Sequence, residues 1–245
     1  MAGSPPVNEQ GYINSYADAR TAGNTLLRLP LELRQDIFEY AAMGYARDQD
    51  CWDSLEAADM RQGRQISWLP PMCVVDDAFF IESVPMFLKQ ANIVVREVYT
   101  AYNLRFFLQA TDTFASVQSL RFIRAEALTP LSAGAALLED CINLRDLSLS
   151  FRFDDFNFPK RLNYAPAPSG DLNKKWFADA YAFRHILKLK SVKRITLFAV
   201  PSPLPRELFP VGVESFWGIK PWLEKKFEKR GMKVQIASRI GCESS

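Results

Sequence analysis

His185 is the single histidine of a 245-residue chain, so any Ser–His–Asp or Cys–His relay would have to run through it. It lies between Arg184 and Ile186 in a helically patterned stretch, and no Gly-x-Ser-x-Gly nucleophile turn accompanies it. A hydrogen-bonded surface histidine is therefore the expectation. Acid–base work would need converging carboxylates. The adjacent pairs are Asp76/Asp77, Glu139/Asp140 and Asp154/Asp155, and neighbours on a strand point to opposite faces, so these read as caps and solvated turns. The four cysteines, Cys51, Cys73, Cys141 and Cys242, lie far apart without the Cys-x-x-Cys spacing of a zinc or dithiol site. Reduced thiols in an intracellular protein are the simplest reading. With 11 glycines and no phosphate-cradling fingerprint, a nucleotide cofactor is not expected either. The expectation is a protein without catalytic residues, metal or cofactor, and not an enzyme.

The elements that would position any site follow from periodicity. Apolar residues make up 48% of the chain and charged residues 24%, the balance of a globular domain, and 18 Phe suggest a ring-filled core. Net charge is +2, so no whole-molecule field points to nucleic acid or membrane, and neither is expected as a partner. The N-terminus lacks the basic and apolar regions of a signal peptide, and no run reaches the roughly 20 apolar residues of a membrane span. Cytoplasm or nucleus is the expected location.

Residues 1–24 are polar and aperiodic and read as a tail, and 46–72 is charged and weakly patterned, with a short helix over 54–60. A helix is expected over 74–88. A regular alternation then sets in: strand 93–98, helix 103–111, strand 117–123, and a helix capped by Thr129 and Pro130 that ends near Cys141. Strand 144–153 is the clearest, with Leu147, Leu149, Phe151 and Phe153 alternating with Asp146, Ser148, Ser150 and Arg152. After a proline-punctuated loop, Asp171 is expected to cap a long helix whose face is Leu172, Trp176, Ala180, Phe183 and Leu187. Strand 192–200 follows, then a helical stretch over 216–230 whose main helix Pro221 would open, and a closing strand near 234–237. Six cations, Lys220, Lys225, Lys226, Lys229, Arg230 and Lys233, crowd that last helix and its exit and read as a solvated face.

A repeat runs through the strands. Val117-x-x-Leu120-x-Phe122, Leu144-x-x-Leu147-x-Leu149 and Val192-x-x-Ile195-x-Leu197 share one spacing, each behind a helix. The first two are 27 residues apart, within the roughly 20–29 of leucine-rich repeats, which the pattern resembles. Strands joined by crossover helices make a parallel sheet with right-handed connections. The expected fold class is α/β: a helix-backed, mostly parallel sheet of about four or five strands, leucine-rich-repeat-like. Its other face, carrying Asp146, Ser148, Ser150 and Arg152, is expected to stay open.

Ahead of this body stands Leu26 to Tyr40. Pro30 suits a first helical position and Glu32 a first turn, and Leu33, Ile37, Tyr40 and Ala41 share one helical face. The motif Leu-Pro-x-Glu-Leu-Arg-x-x-Ile-Phe-x-Tyr resembles the opening helix of the F-box, more closely its variant in a large family of fungal F-box-like proteins. Phe80 to Leu88 with Asn92 to Val95, and Asn103 to Leu108, are similar to that family's next segments, although Asp76-Asp77-Ala78 stands where the family carries a different polar cluster. The resemblance implies three regions: a tail over 1–24, an F-box-like helical region over 25–72 and an α/β body over 73–240, or one continuous domain over 25–240. It also implies docking onto the adaptor subunit of a cullin-RING ubiquitin ligase through Leu29, Pro30, Leu33, Ile37 and Phe38, with the C-terminal part holding a protein substrate. The alternative is that the same residues pack inward and the chain is a self-contained scaffold or binding protein. Exposure of Leu33, Ile37 and Phe38 separates the two readings.

Overall fold

The computed structural model describes residues 26–48, 69–74, 77–129, 131–152, 178–179, 181–200 and 212–241. Among them six helices and five strands follow one another: α1 (Leu31–Asp48), α2 (Asp77–Gln90), β1 (Asn92–Val95), α3 (Val98–Thr111), β2 (Ser119–Phe122) and α4 (Ala133–Asp140). Then come β3 (Asp146–Arg152), α5 (Phe183–Lys188), β4 (Arg194–Val200), α6 (Gly212–Glu228) and β5 (Gln235–Ile240). The strands form one sheet in the order β1-β2-β3-β4-β5, every neighbouring pair parallel. Because the order never reverses, right-handed crossovers place their helices on the same face.

The repeat spacing is what sets the register. Ile93, Leu120, Leu147, Ile195 and Ile236 stand side by side across all five strands, and Val95, Phe122, Leu149 and Leu197 form the next row. All nine are buried, each contributing about 1.5–3 kcal/mol of hydrophobic stabilisation. A third row, Phe151 beside Ala199, seats the later helices. Phe151 stacks on Phe183 of α5 at 6.3 Å between centroids, and Phe183 meets Trp222 of α6 edge-on at 5.7 Å.

Several elements depart from expectation for identifiable reasons. The helix before β3 is capped by Ser132, whose Oγ accepts from the Ala135 N–H at 3.3 Å, and not by Thr129. The α3 helix starts at Val98, five residues before the expected Asn103. Of the long helix expected from Asp171, residues 171–177 lie outside the described residues, and Ala182 breaks the remainder with a left-handed φ of 51°. The break lets Tyr181 and Phe183 both reach Phe151, at 5.6 and 6.3 Å. On a continuous helix two such positions lie about 200° apart and could not share one ring. Pro221 lies inside α6, not at its start. Phe216, Ile219, Leu223 and Phe227 form one buried stripe across it, which outweighs the roughly 3 kcal/mol that an interior proline costs. The tail over 1–24, the helix over 54–60 and the loop over 159–170 lie outside the described residues.

Candidate functional site

Among the described residues, the α1 helix is held to the body on one side only. Pro30 stands just before the helix, its carbonyl accepting the Arg34 N–H at 3.1 Å, and Glu32 occupies the first turn as the helix dipole favours. Phe38 is 2% exposed and meets Phe79 of α2 edge-to-face, with centroids 5.6 Å apart and planes at 83°. Ala42, one turn further on, is also fully buried. Beside them the Arg34 guanidinium forks onto Glu82 of α2 at 2.7 and 2.6 Å and donates to the Leu27 and Leu29 carbonyls at 3.0 and 2.6 Å. The hydrogen bond and charge of Glu82 raise the Arg34 pKa above its ordinary value, against a smaller opposing effect of burial. Gln90 adds a 2.8 Å bond to Glu39. Arg34 thus ties the turn over Leu26–Arg28, the start of α1, and α2 together. It belongs to the Leu-Pro-x-Glu-Leu-Arg motif, and periodicity alone does not single it out.

The opposite side of α1 carries its larger apolar residues into solvent. Leu33 is 50% exposed, Ile37 42% and Tyr40 81%, and Leu31 and Pro30 extend the patch at the helix start. The expected stripe at i, i+4 and i+7 therefore exists, and it faces outward. Of the five residues implied for docking, Pro30, Leu33 and Ile37 lie on this surface and Leu29 is half-buried at its edge. Phe38 is a correction: its ring fills the α1–α2 contact and is not available to a partner. The physical reason is the helical angle, since Phe38 follows Ile37 by about 100° and so faces the interior when Ile37 faces out.

The expected open sheet face is open only in part. Its first row pairs opposite charges, the Arg194 guanidinium donating to both Asp146 oxygens, and these bonds raise the Arg194 pKa. At the β1 end of that row Ser119 Oγ donates to Asn92 Oδ1 at 2.8 Å. Ser148 is half-buried and Arg152 exposed, whereas Ser150 is 1% exposed. The Arg121 guanidinium lies 5.6 Å from the Phe198 ring centroid. That contact reaches from β2 to β4 across the small serines of β3, so Ser150 lies beneath neighbouring side chains.

The chemistry-bearing residues take structural partners. His185 Nδ1 and Lys188 Nζ of α5 both approach Glu139 Oε1 of α4, at 2.8 and 2.9 Å, and hold that carboxyl below its usual pKa, Lys188 contributing most. The adjacent Asp140 turns instead to Arg105 of α3, at 2.8 Å, so the two acids do not converge. Burial pushes the Cys73 thiol up to about 11 and the Cys141 thiol up to about 12, which leaves both protonated and unreactive at neutral pH. Cys51, Cys242, Asp76 and the Asp154/Asp155 pair lie outside the described residues. Among the described residues no group of three His, Cys, Asp or Glu is placed to hold a metal ion, and no helix is long and apolar enough to cross a membrane.

Over the described residues, fold and site together define an α/β protein with one five-stranded parallel sheet and an apolar helix face turned to solvent at its N-terminal flank. No family model, curated protein or solved structure matches the chain.

Proposed function

We propose that the chain is a non-enzymatic interaction protein, an F-box-like subunit whose α1 docks the adaptor of a cullin-RING ubiquitin ligase while its leucine-rich-repeat-like body recruits a protein substrate. The observation that carries the reading is the outward stripe of Leu33, Ile37 and Tyr40, flanked by Pro30 and Leu31. A helix laid in a partner's groove is read through anchors at i, i+4 and i+7, which is the spacing of this stripe. The docking set is Leu29, Pro30, Leu33 and Ile37, with Tyr40 taking the place first given to Phe38. Arg34 acts as a positioning residue, joining the Leu27 and Leu29 carbonyls to α2 in one mount for the helix.

A second reading, a self-contained scaffold that docks no ligase, draws on the burial of Phe38 and the Arg34–Glu82 fork, which make one side of α1 part of the body. The two readings part in a pull-down with purified adaptor. The docking reading expects capture by wild type, loss of capture in Leu33→Asp/Ile37→Asp, and an unchanged circular dichroism spectrum for that variant. A folded wild type that captures no adaptor overturns it, and so does an Ile37→Asp variant that binds as wild type does.

A further inference from the structure

Among the described residues β5 has a partner strand on one side only, β4, and nothing pairs with its outer edge. At its two ends the Gln235 N–H donates to the Lys193 carbonyl at 2.8 Å and the Gly241 N–H to the Ala199 carbonyl at 3.3 Å. In a parallel ladder every second residue bonds the same neighbour, so residues 235, 237, 239 and 241 turn their backbone groups to β4. Ile236, Ser238 and Ile240 therefore turn theirs outward along the free edge.

Burial differs between the two edges of the sheet. On β1, at the far edge, Ile93, Val94 and Val95 are all buried, whereas on β5 Ala237 and Ser238 are half-buried and Ile240 is 41% exposed. The Ser238 hydroxyl is nevertheless buried and has no hydrogen-bond partner, a state that folded proteins rarely leave uncorrected. Nor does β5 carry the proline or lysine that blunts many sheet edges. Its one charge, Arg239, pairs in register with Phe198 on the face away from Ile236 and Ser238, so it does not obstruct the edge.

We propose that β5 pairs antiparallel with β5 of a second copy, about a two-fold axis at Ser238, so that one sheet runs through both protomers. The segment reads Ile-x-Ser-x-Ile in either direction, and a two-fold contact requires such self-complementarity. Centred on Ser238, the pairing sets Ile236 against the copy's Ile240, and each outward residue exchanges both backbone bonds with its opposite. Ser238 then faces its own copy with Cβ atoms about 4.5–5.5 Å apart, within reach of the hydroxyl–hydroxyl bond it lacks. Centring on Ala237 would leave that hydroxyl against an isoleucine, and centring on Arg239 would oppose two like charges. The interface lies at the opposite end of the sheet from β1, into which α2 leads, so the α1 stripe of each copy stays free. The inference therefore stands independently of adaptor docking.

The test is sedimentation equilibrium of the full chain over a range of concentrations, where twice the chain mass is expected at the high end. Ser238→Pro deletes an outward N–H that β4 does not use, so it should keep the circular dichroism spectrum while raising the dimer dissociation constant about tenfold or more. Ile240→Lys, which sets an ammonium against the copy's Ile236, should weaken the dimer likewise and keeps the test decisive should the proline disturb the fold. In the ¹⁵N-labelled chain the Ile236, Ser238 and Ile240 amides should exchange slowly only at high concentration, and those of Ala237 and Arg239 slowly throughout. A chain that is monomeric up to the millimolar range overturns the proposal, as does a dimer that neither variant weakens. A dimer lost in Leu33→Asp/Ile37→Asp would place the contact on α1, and a monomer whose β5 edge takes up an alternating valine–threonine peptide would make the edge a dock for other chains. Either result also overturns the proposal. Adaptor capture by a monomeric wild type refutes this inference alone, and a β5 dimer that captures no adaptor refutes the docking reading alone.

Discussion

Replacing Phe38 by Ala asks which side of α1 belongs to the interior. Phe38 is 2% exposed and packs edge-to-face on Phe79, whereas Ile37, its neighbour in sequence, is 42% exposed and Leu33 50%. Removing a buried ring costs about 3–5 kcal/mol, of which an aromatic pair of this geometry accounts for about 0.5–1.5. The contact lies at the flank of the body, where α2 can relax toward the gap, so the lower end, about 3 kcal/mol, is expected for Phe38→Ala. Ile37→Ala and Leu33→Ala give up only the covered part of each side chain and gain some helix propensity, so each should stay within about 1 kcal/mol. Urea unfolding followed by circular dichroism measures all three, and amide exchange along α1 shows whether a loss is local to the helix. Domains of this kind are stable by about 5–15 kcal/mol, so the contrast is large enough to read. A loss at Ile37→Ala or Leu33→Ala that equals the loss at Phe38→Ala would refute the outward orientation of the stripe, and with it the basis for docking.

Three further outcomes follow from the same geometry. Gly134 lies inside α4, where alanine would ordinarily gain up to about 1 kcal/mol, yet a Cβ there would come within 2.1 Å of the Ala127 carbonyl oxygen. Gly134→Ala should therefore destabilise, by about 1–3 kcal/mol as overpacking does, seen as a lowered urea midpoint. Ser132→Ala should cost about 1 kcal/mol as a lost N-cap, measured in the same way, while Thr129→Ala leaves the midpoint in place. The Glu139 carboxyl is held below its unfolded pKa by Lys188 and His185, so its contribution is present above the unfolded carboxylate pKa and is lost as pH falls through the folded value. The midpoint difference between wild type and Glu139→Gln should accordingly shrink as pH falls through the acid range, and a difference that persists there would contradict the clasp.

Much of the body is legible in the sequence alone. Leu147, Leu149 and Phe151 alternate with polar residues, and the same short spacing recurs ahead of Leu120 and Ile195, which is enough to place the strands and order them as a parallel sheet. The start of α1 was legible too, because Pro30 and Glu32 act locally on the chain that follows them. Helix ends are less so: Ser132 and Thr129 are both good caps by residue type, and in the fold it is Ser132 whose Oγ caps the Ala135 N–H while donating to the Ala127 carbonyl.

Local pattern thus determined where strands and helices form, because side-chain alternation and capping act over a few residues. Which face of α1 turns inward was decided by tertiary contact alone. The apolar stripe of Leu33, Ile37 and Tyr40 is the stronger periodic signal, but burial depends on what stands opposite. Here α2 offers Phe79 and Glu82, which match Phe38 and Arg34 across more than 40 residues of sequence and leave the stripe to solvent.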